Sequence, residues 1–199
     1  TETLYLQGTK TYTIVPSTDE SYDGTVTYVS SNTSVATVTS AGVVTAVSKG
    51  SATITVTAPG TSTYKPSSKT LTVTVKDASN VAGLKAITST SNVVSFTADL
   101  TDAVVTYVKG SHAFIQDASG AVYASCGSSL TAGKKINGAV SGSIKAAYQI
   151  DEITAITLSG ATVTDGDIPS AQVKTAAQLV ANKTDLEGKL VRITGATVI

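Results

Sequence analysis

The strongest constraint on the fold is the alternation running from Val26 to Ala58. In Ala52-Thr53-Ile54-Thr55-Val56-Thr57-Ala58, apolar side chains take every second position and threonines fill the rest. A period of two is the pattern of a strand with one buried and one solvated face. Ser40-Ala41-Gly42 and Ser48-Lys49-Gly50 break the pattern into short runs, and glycine supplies the positive φ that tight reversals need. Strands this short and this closely joined predict an antiparallel sheet rather than strand–helix–strand units.

The same residues carry a resemblance. Val26-x-Tyr28-x-Ser30-Ser31-Asn32, Ser34 to Val38, Gly42 to Val47 and Gly50-x-Ala52-x-Ile54 together resemble the bacterial immunoglobulin-like domain, group 2. That family usually has Trp where this chain has Tyr28. A tyrosine can plug the same core with its hydroxyl at the rim. The resemblance implies a β-sandwich of bacterial surface and secreted proteins, used as spacer, stalk or adhesion module, and implies no catalysis.

Around this core, Leu4 to Val15 reads as a kinked edge strand ended by Pro16, which cannot donate to a ladder. Ser17 to Gly24 reads as a solvated loop, although Asp19, Glu20 and Asp23 are oxygen donors of the kind calcium takes. Pro59 to Pro66 is a loop with Tyr64 expected as a lid on the sandwich end, and Thr70 to Val75 is a last strand. The hydrophobic pattern then lapses. These signals predict a sandwich over 1–77, a linker over 78–83 and a second domain over 84–199.

The second half keeps the strand signature. Val93 to Val108 is a long strand with a bend at Asp99-Leu100-Thr101-Asp102; His112 to Asp117 and Ala121 to Cys126 flank a tight turn at Ala118-Ser119-Gly120. Ile136 to Ile144 and Tyr148 to Leu158 follow as strands, with Gly138 and Gly142 suited to a coiled strand. Val163 to Ser170 reads as a loop, Ala171 to Asn182 as the one helix, and Leu190 to Ile199 as a final strand. Tyr107-Val108-Lys109-Gly110, Phe114 to Gly120, Leu130-x-x-Gly133-Lys134 and Gly138 to Gly142 resemble the OB-fold barrel of exported bacterial proteins, some of them nuclease-associated. The helix comes late for that order, so Leu190 to Ile199 either closes the barrel or begins a further domain. The fold class expected is therefore all-β: an immunoglobulin-like sandwich, then an OB-like barrel with one short helix.

Composition limits the chemistry. With one histidine and one cysteine, no zinc site and no internal disulfide can be built. Cys126 reads as a small buried strand residue. Ser111, His112 and Asp117 make a catalytic triad only on paper, since neighbours on a strand point to opposite faces. No glycine run precedes a helix, and Asp151-Glu152 and Asp165-Gly166-Asp167 sit in apparent turns. The expectation is a chain without catalysis, metal or cofactor. Zero net charge and the lack of a basic run disfavour nucleic acid. No apolar run reaches membrane-spanning length. The chain has no Met, even at position 1, and reads as part of a longer exported or cell-surface bacterial precursor with neighbouring domains.

Binding remains. OB barrels present a strand face and its loops to oligonucleotides or oligosaccharides, both of which stack on aromatic rings. The ligand-binding residues expected are Tyr107, Lys109, His112, Tyr123, Lys145 and Tyr148, with Gln149 as a further polar partner. Phe114 shares a face with His112 and Gln116, and is expected in the core. A polysaccharide or surface glycan is the expected ligand. The alternatives are a nucleic-acid-binding accessory of a secreted nuclease and a purely structural stalk.

Overall fold

The computed structural model describes residues 1–7, 10–87, 92–125, 129–147, 150–182, 186 and 188–194. The chain divides into two compact units, Thr1–Asp77 and Ala78–Ile199.

The first unit is a sandwich of two sheets. Its strands are β1 (Glu2–Gln7), β2 (Thr11–Thr13), β3 (Thr27–Ser30), β4 (Ala36–Val38), β5 (Val43–Ala46), β6 (Gly50–Ala58) and β7 (Ser67–Ala78). One sheet runs β1-β7-β6-β3 and the other β2-β5-β4. In the first, β3, β6 and β7 pair antiparallel, and in the second β2, β5 and β4 do. The expected kinked edge strand is two strands, because β1 pairs with β7 while β2 pairs with β5 in the opposite sheet. The alternation in β6 behaves as its sequence predicts: Ala52 and Ile54 are buried, and Thr53 and Thr55 are not. Their faces meet Leu4, Val44, Val73 and Val75 in a single aliphatic core. Tyr28 is half-buried and lies against Gly42, where φ is +77° and an added Cβ would stand 3.0 Å from the tyrosine ring. A side chain at 42 and an aromatic at 28 therefore exclude one another.

The second unit is an OB-like barrel. Its strands are β8 (Val94–Lys109), β9 (His112–Gln116), β10 (Ala121–Ala124), β11 (Lys134–Ala147) and β12 (Ile150–Asp165). They pair in the order β8-β9-β10-β12-β11, and β11 pairs back to β8. Every contact is antiparallel except β10 with β12. The five strands thus close without an edge. Leu190 to Ile199 is not needed for closure, which corrects one of the two sequence expectations.

Closing so few strands demands strong coiling, and bulges supply it. Asp102, at φ +51°, sits where two residues of β8, Thr101 and Asp102, oppose one of β11, Asn137, between the pairs Ala103–Ile136 and Leu100–Gly138. This is the bend expected at 99–102. Farther along β11, a Cβ at Gly142 would lie 2.0 Å from the Ala155 carbonyl oxygen. Only glycine lets those two backbones approach so closely. The interior is filled by Phe96, Leu100, Ile115, Ile136, Ile144 and Ile153, all essentially inaccessible.

The expected linker is built into this unit. Ala78 pairs with Ala98, and α1 (Val81–Lys85) buries Val81 and Leu84 completely. Five residues cannot hold a helix by propensity. Three side chains hold this one. Asp117 Oδ2 accepts from Val81 N at 2.8 Å, Ser119 Oγ from Ala82 N at 2.9 Å, and Asn80 Oδ1 from Gly83 N at 2.8 Å. Asp117 Oδ1 also accepts from Ser119 N and Gly120 N, so it closes the β9–β10 turn as well.

The expected helix over 171–182 is a strand followed by a helix. Residues of β13 (Gln172–Thr175) pair in parallel with β14 (Val191–Thr194), and α2 (Ala176–Ala181) lies between them in the chain. A reciprocal capping box between Thr175 and Gln178 starts α2 at Ala176, which leaves Val173 extended. Its predicted face is not buried: Val180 is 75% exposed. β12 also runs on to Asp165, through the start of the expected loop.

Two substitutions test this account. Asp117→Ala removes the acceptor from three backbone N–H groups and is expected to destabilise the chain by about 3 kcal/mol in urea unfolding, with Asp117→Asn losing less. Gly142→Ala forces β11 away from β12 and is expected to lower stability by about 2 kcal/mol or more. A neutral result for either would remove that residue from the list of closure determinants.

Candidate functional site

Alternation along β9 puts Ala113 and Ile115 inside the barrel and His112, Phe114 and Gln116 outside. Phe114, expected in the core, is therefore half-buried on the outer face. On β10, Val122 and Ala124 face the interior cluster and Tyr123 faces out. Register then aligns the outer faces of neighbouring strands. Tyr107 on β8 pairs with Phe114 on β9, Phe114 with Tyr123 on β10, Tyr123 with Glu152 on β12, and Glu152 with Lys145 on β11. One row, Tyr107–Phe114–Tyr123–Glu152–Lys145, thus crosses all five strands. At one strand spacing per step it measures roughly 19 Å along the surface.

The aromatic part of the row is continuous. Ring centroids lie 6.4 Å apart for Tyr107 and Phe114 and 5.5 Å apart for Phe114 and Tyr123. His112 stacks on Tyr123 at 5.6 Å with an interplanar angle of 22°, and the Tyr123 hydroxyl is hydrogen-bonded to His112 Nδ1. That contact fixes the tyrosine ring. Lys109 is the cross-strand partner of His112 at the mouth of the β8–β9 turn. At the other end of the row, Lys145 Nζ stands 3.4 Å from the Glu152 carboxylate. The structure brings Tyr107, Lys109, His112, Tyr123 and Lys145 onto one outer surface. Tyr148 and Gln149 lie outside the described residues, as does Cys126.

Sequence reasoning missed Glu152, which looked like part of a turn, and Phe114, which was assigned inward. Both sit in register with predicted residues. It also missed a segment that packs on this face. Leu186 is buried, and Leu190 N donates to Gln116 Oε1 at 3.3 Å. Gly188, at φ +72°, comes so close that a Cβ would stand 3.1 Å from Ala121 Cβ and 3.3 Å from the Phe114 ring. This strap explains why Ala121, on the outer face, is only 1% exposed. Between the strap and the Tyr107–Phe114 pair lies a cleft of about 410 Å³, which Lys189 and Thr106 also line.

The paper triad of Ser111, His112 and Asp117 does not assemble. His112 faces outward onto Tyr123, whereas Asp117 is 8% exposed and its oxygens hold α1 and the adjoining turn. Among the described residues, no group of three or more His, Cys, Asp or Glu side chains is placed to hold a metal ion. No helix among them is long and apolar enough to cross a membrane.

No curated protein matches this chain. Residues 1–67 match the family described as the bacterial Ig-like domain (group 2), a non-catalytic module of bacterial surface proteins, in agreement with the sandwich observed there.

Proposed function

We propose that the second unit is a non-catalytic carbohydrate-binding barrel, carried with a spacer or adhesion sandwich by an exported or cell-surface bacterial protein. The observation that carries this reading is the aromatic row Tyr107–Phe114–Tyr123 with His112 stacked at its end. Flat rings on an open surface take the apolar faces of sugar rings, and the flanking Glu152 and Lys145 offer an acceptor and a donor to hydroxyl groups. The Tyr107–Phe114 cleft beneath the strap extends the surface at its other end.

The charge pattern favours a neutral polymer over nucleic acid. A phosphate backbone is held by lysines and arginines with no acid among them. Here the lysine in the row is paired with Glu152, and the whole chain carries 14 basic and 14 acidic side chains.

Affinity electrophoresis of the full chain against a polysaccharide panel, with single-stranded oligonucleotides as competitors at two salt concentrations, tests this. Retardation by at least one neutral polysaccharide is expected, insensitive to salt. Tyr123→Ala is expected to weaken it about tenfold, the loss of one stacking contact. Oligonucleotide binding that falls steeply with salt would replace this reading with the nucleic-acid one. Retention of neither polymer would leave the barrel as stalk.

A further inference from the structure

A cavity lies in the first unit, at the end of the sandwich where the aliphatic core thins to half-buried Tyr12, Ile14 and Leu71. Its volume is about 420 Å³. The two sheets contribute an apolar floor of Ile14, Val56 and Leu71. Two loops contribute the walls. Tyr22 and Tyr64 meet edge to face, with centroids 5.7 Å apart and an interplanar angle of 75°. The Tyr22 hydroxyl donates to Pro59 O at 2.7 Å, which ties the two loops together. Tyr64, expected from sequence to be a lid, does pack over this end.

The rim is polar and of both signs. Asp19 Oδ1 accepts from Ser21 N at 2.9 Å, from Ser21 Oγ at 2.5 Å and from the Tyr64 hydroxyl at 3.1 Å. The Ser21 and Tyr64 hydroxyl oxygens also lie in contact. The bonds to Asp19 all fall on Oδ1. Opposite in charge are Lys65 and Lys69, which line the same cavity.

We propose that this cavity binds one neutral pyranose ring of a saccharide, at a site separate from the aromatic row of the barrel. The corner of Tyr22 and Tyr64 gives the ring a face to stack on and an edge to stop against. The Asp19 carboxylate accepts from one ligand hydroxyl, and the lysine ammonium groups donate to others. A ligand with a single charge would meet a like charge on one side of the rim. A fully apolar ligand would strip water from the acid and both lysines without replacing it. A polyhydroxylated ring with one apolar face satisfies floor, walls and rim together.

The acid is held ready for this. The Ser21 hydroxyl, then the Ser21 N–H and the Tyr64 hydroxyl, hold the Asp19 carboxyl below its ordinary value. The stability linked to this group is present at neutral pH and is lost only as pH falls through that lowered value. Ser21→Ala is expected to move the carboxyl titration upward, read from its NMR signal. Ligand affinity is then expected to be flat from about pH 5 to about pH 8, where Asp19 is an anion throughout.

The deciding experiment is an NMR titration of the full chain with methyl β-glucopyranoside, methyl β-galactopyranoside, N-acetylglucosamine and, as the charged control, methyl glucuronide. Saturating shifts at Asp19, Tyr22 and Tyr64 are expected with at least one neutral glycoside, with a dissociation constant of about millimolar order. Tyr64→Ala is expected to weaken this at least tenfold, and Tyr64→Phe, which keeps the wall and loses the bond to Asp19, severalfold. Unchanged Ile54 and Val73 signals report that the sandwich remains folded in each variant. Tyr123→Ala in the barrel is expected to leave these shifts intact, so failure of the barrel reading and failure of this one are distinguishable. No shift at the cavity with any glycoside, tighter binding of the glucuronide than of every neutral glycoside, or shifts that survive Tyr64→Ala would overturn the proposal.

Discussion

The second unit depends on the carboxylate of Asp117. It lies at the end of β9, where the chain must turn back into β10 and the barrel end needs a plug. Its Oδ1 organises the turn through Ser119 and Gly120, and its Oδ2 reaches Val81 at the start of α1. A buried carboxylate is tolerable when backbone N–H groups surround it. Those N–H groups would otherwise be orphaned at a helix N-terminus and in a tight turn. Helix, turn and acid are each unfavourable alone and satisfied together. The apolar gain follows, because the helix so anchored seats Val81 and Leu84 on the barrel interior.

Closure is the second constraint, and it settles where the outer face points. A five-stranded barrel needs steep coiling, and here long strands supply it through bulges at Asp102 and near Gly142. The bulge between Val105 and Tyr107 in the β8–β9 pairing sets Tyr107 opposite Phe114. A further bulge in β8 therefore sets the register that aligns the aromatic row. Bulges re-aim side chains as well as bending strands.

Much of this was legible in the sequence, and the exceptions have physical reasons. The two faces of β6 and β9 follow from period-two alternation, which is local. Which face of β9 turns inward is not local. Ala113 and Ile115 go inside because the interior is filled from other strands, by Phe96 and Ile153 among them. The hairpin alone cannot report that volume, so Phe114 was misassigned. Helix α1 is too short for a helical period, and its one sequence trace is Asn80 before Val81-x-x-Leu84. The start of α2 was written more plainly, as the Thr175-x-x-Gln178 capping box, but the apolar spacing of Val173 with Val180 masked it. Of the outer face, the aromatic residue types are legible in the sequence and the row is not, because it depends on pairing across five strands.

The strap bears on how an extended ligand could lie on the row. Ala121 and Phe114 belong to an outer face that would be open in a bare barrel. Gly188 lies against Ala121 and Phe114, and Gln116 holds Leu190 in place. Gly188 can do so only because it lacks a Cβ and accepts φ +72°. The row is thereby asymmetric. On the Tyr123 side it runs out to His112, Glu152 and Lys145 across an open surface. On the Phe114 side it meets backbone and narrows to a cleft. A polymer crossing the open side can continue in either direction, whereas one reaching the strap has to end or rise off the barrel. The glycine at 188 thus gives the outer face an end instead of leaving it a uniform groove.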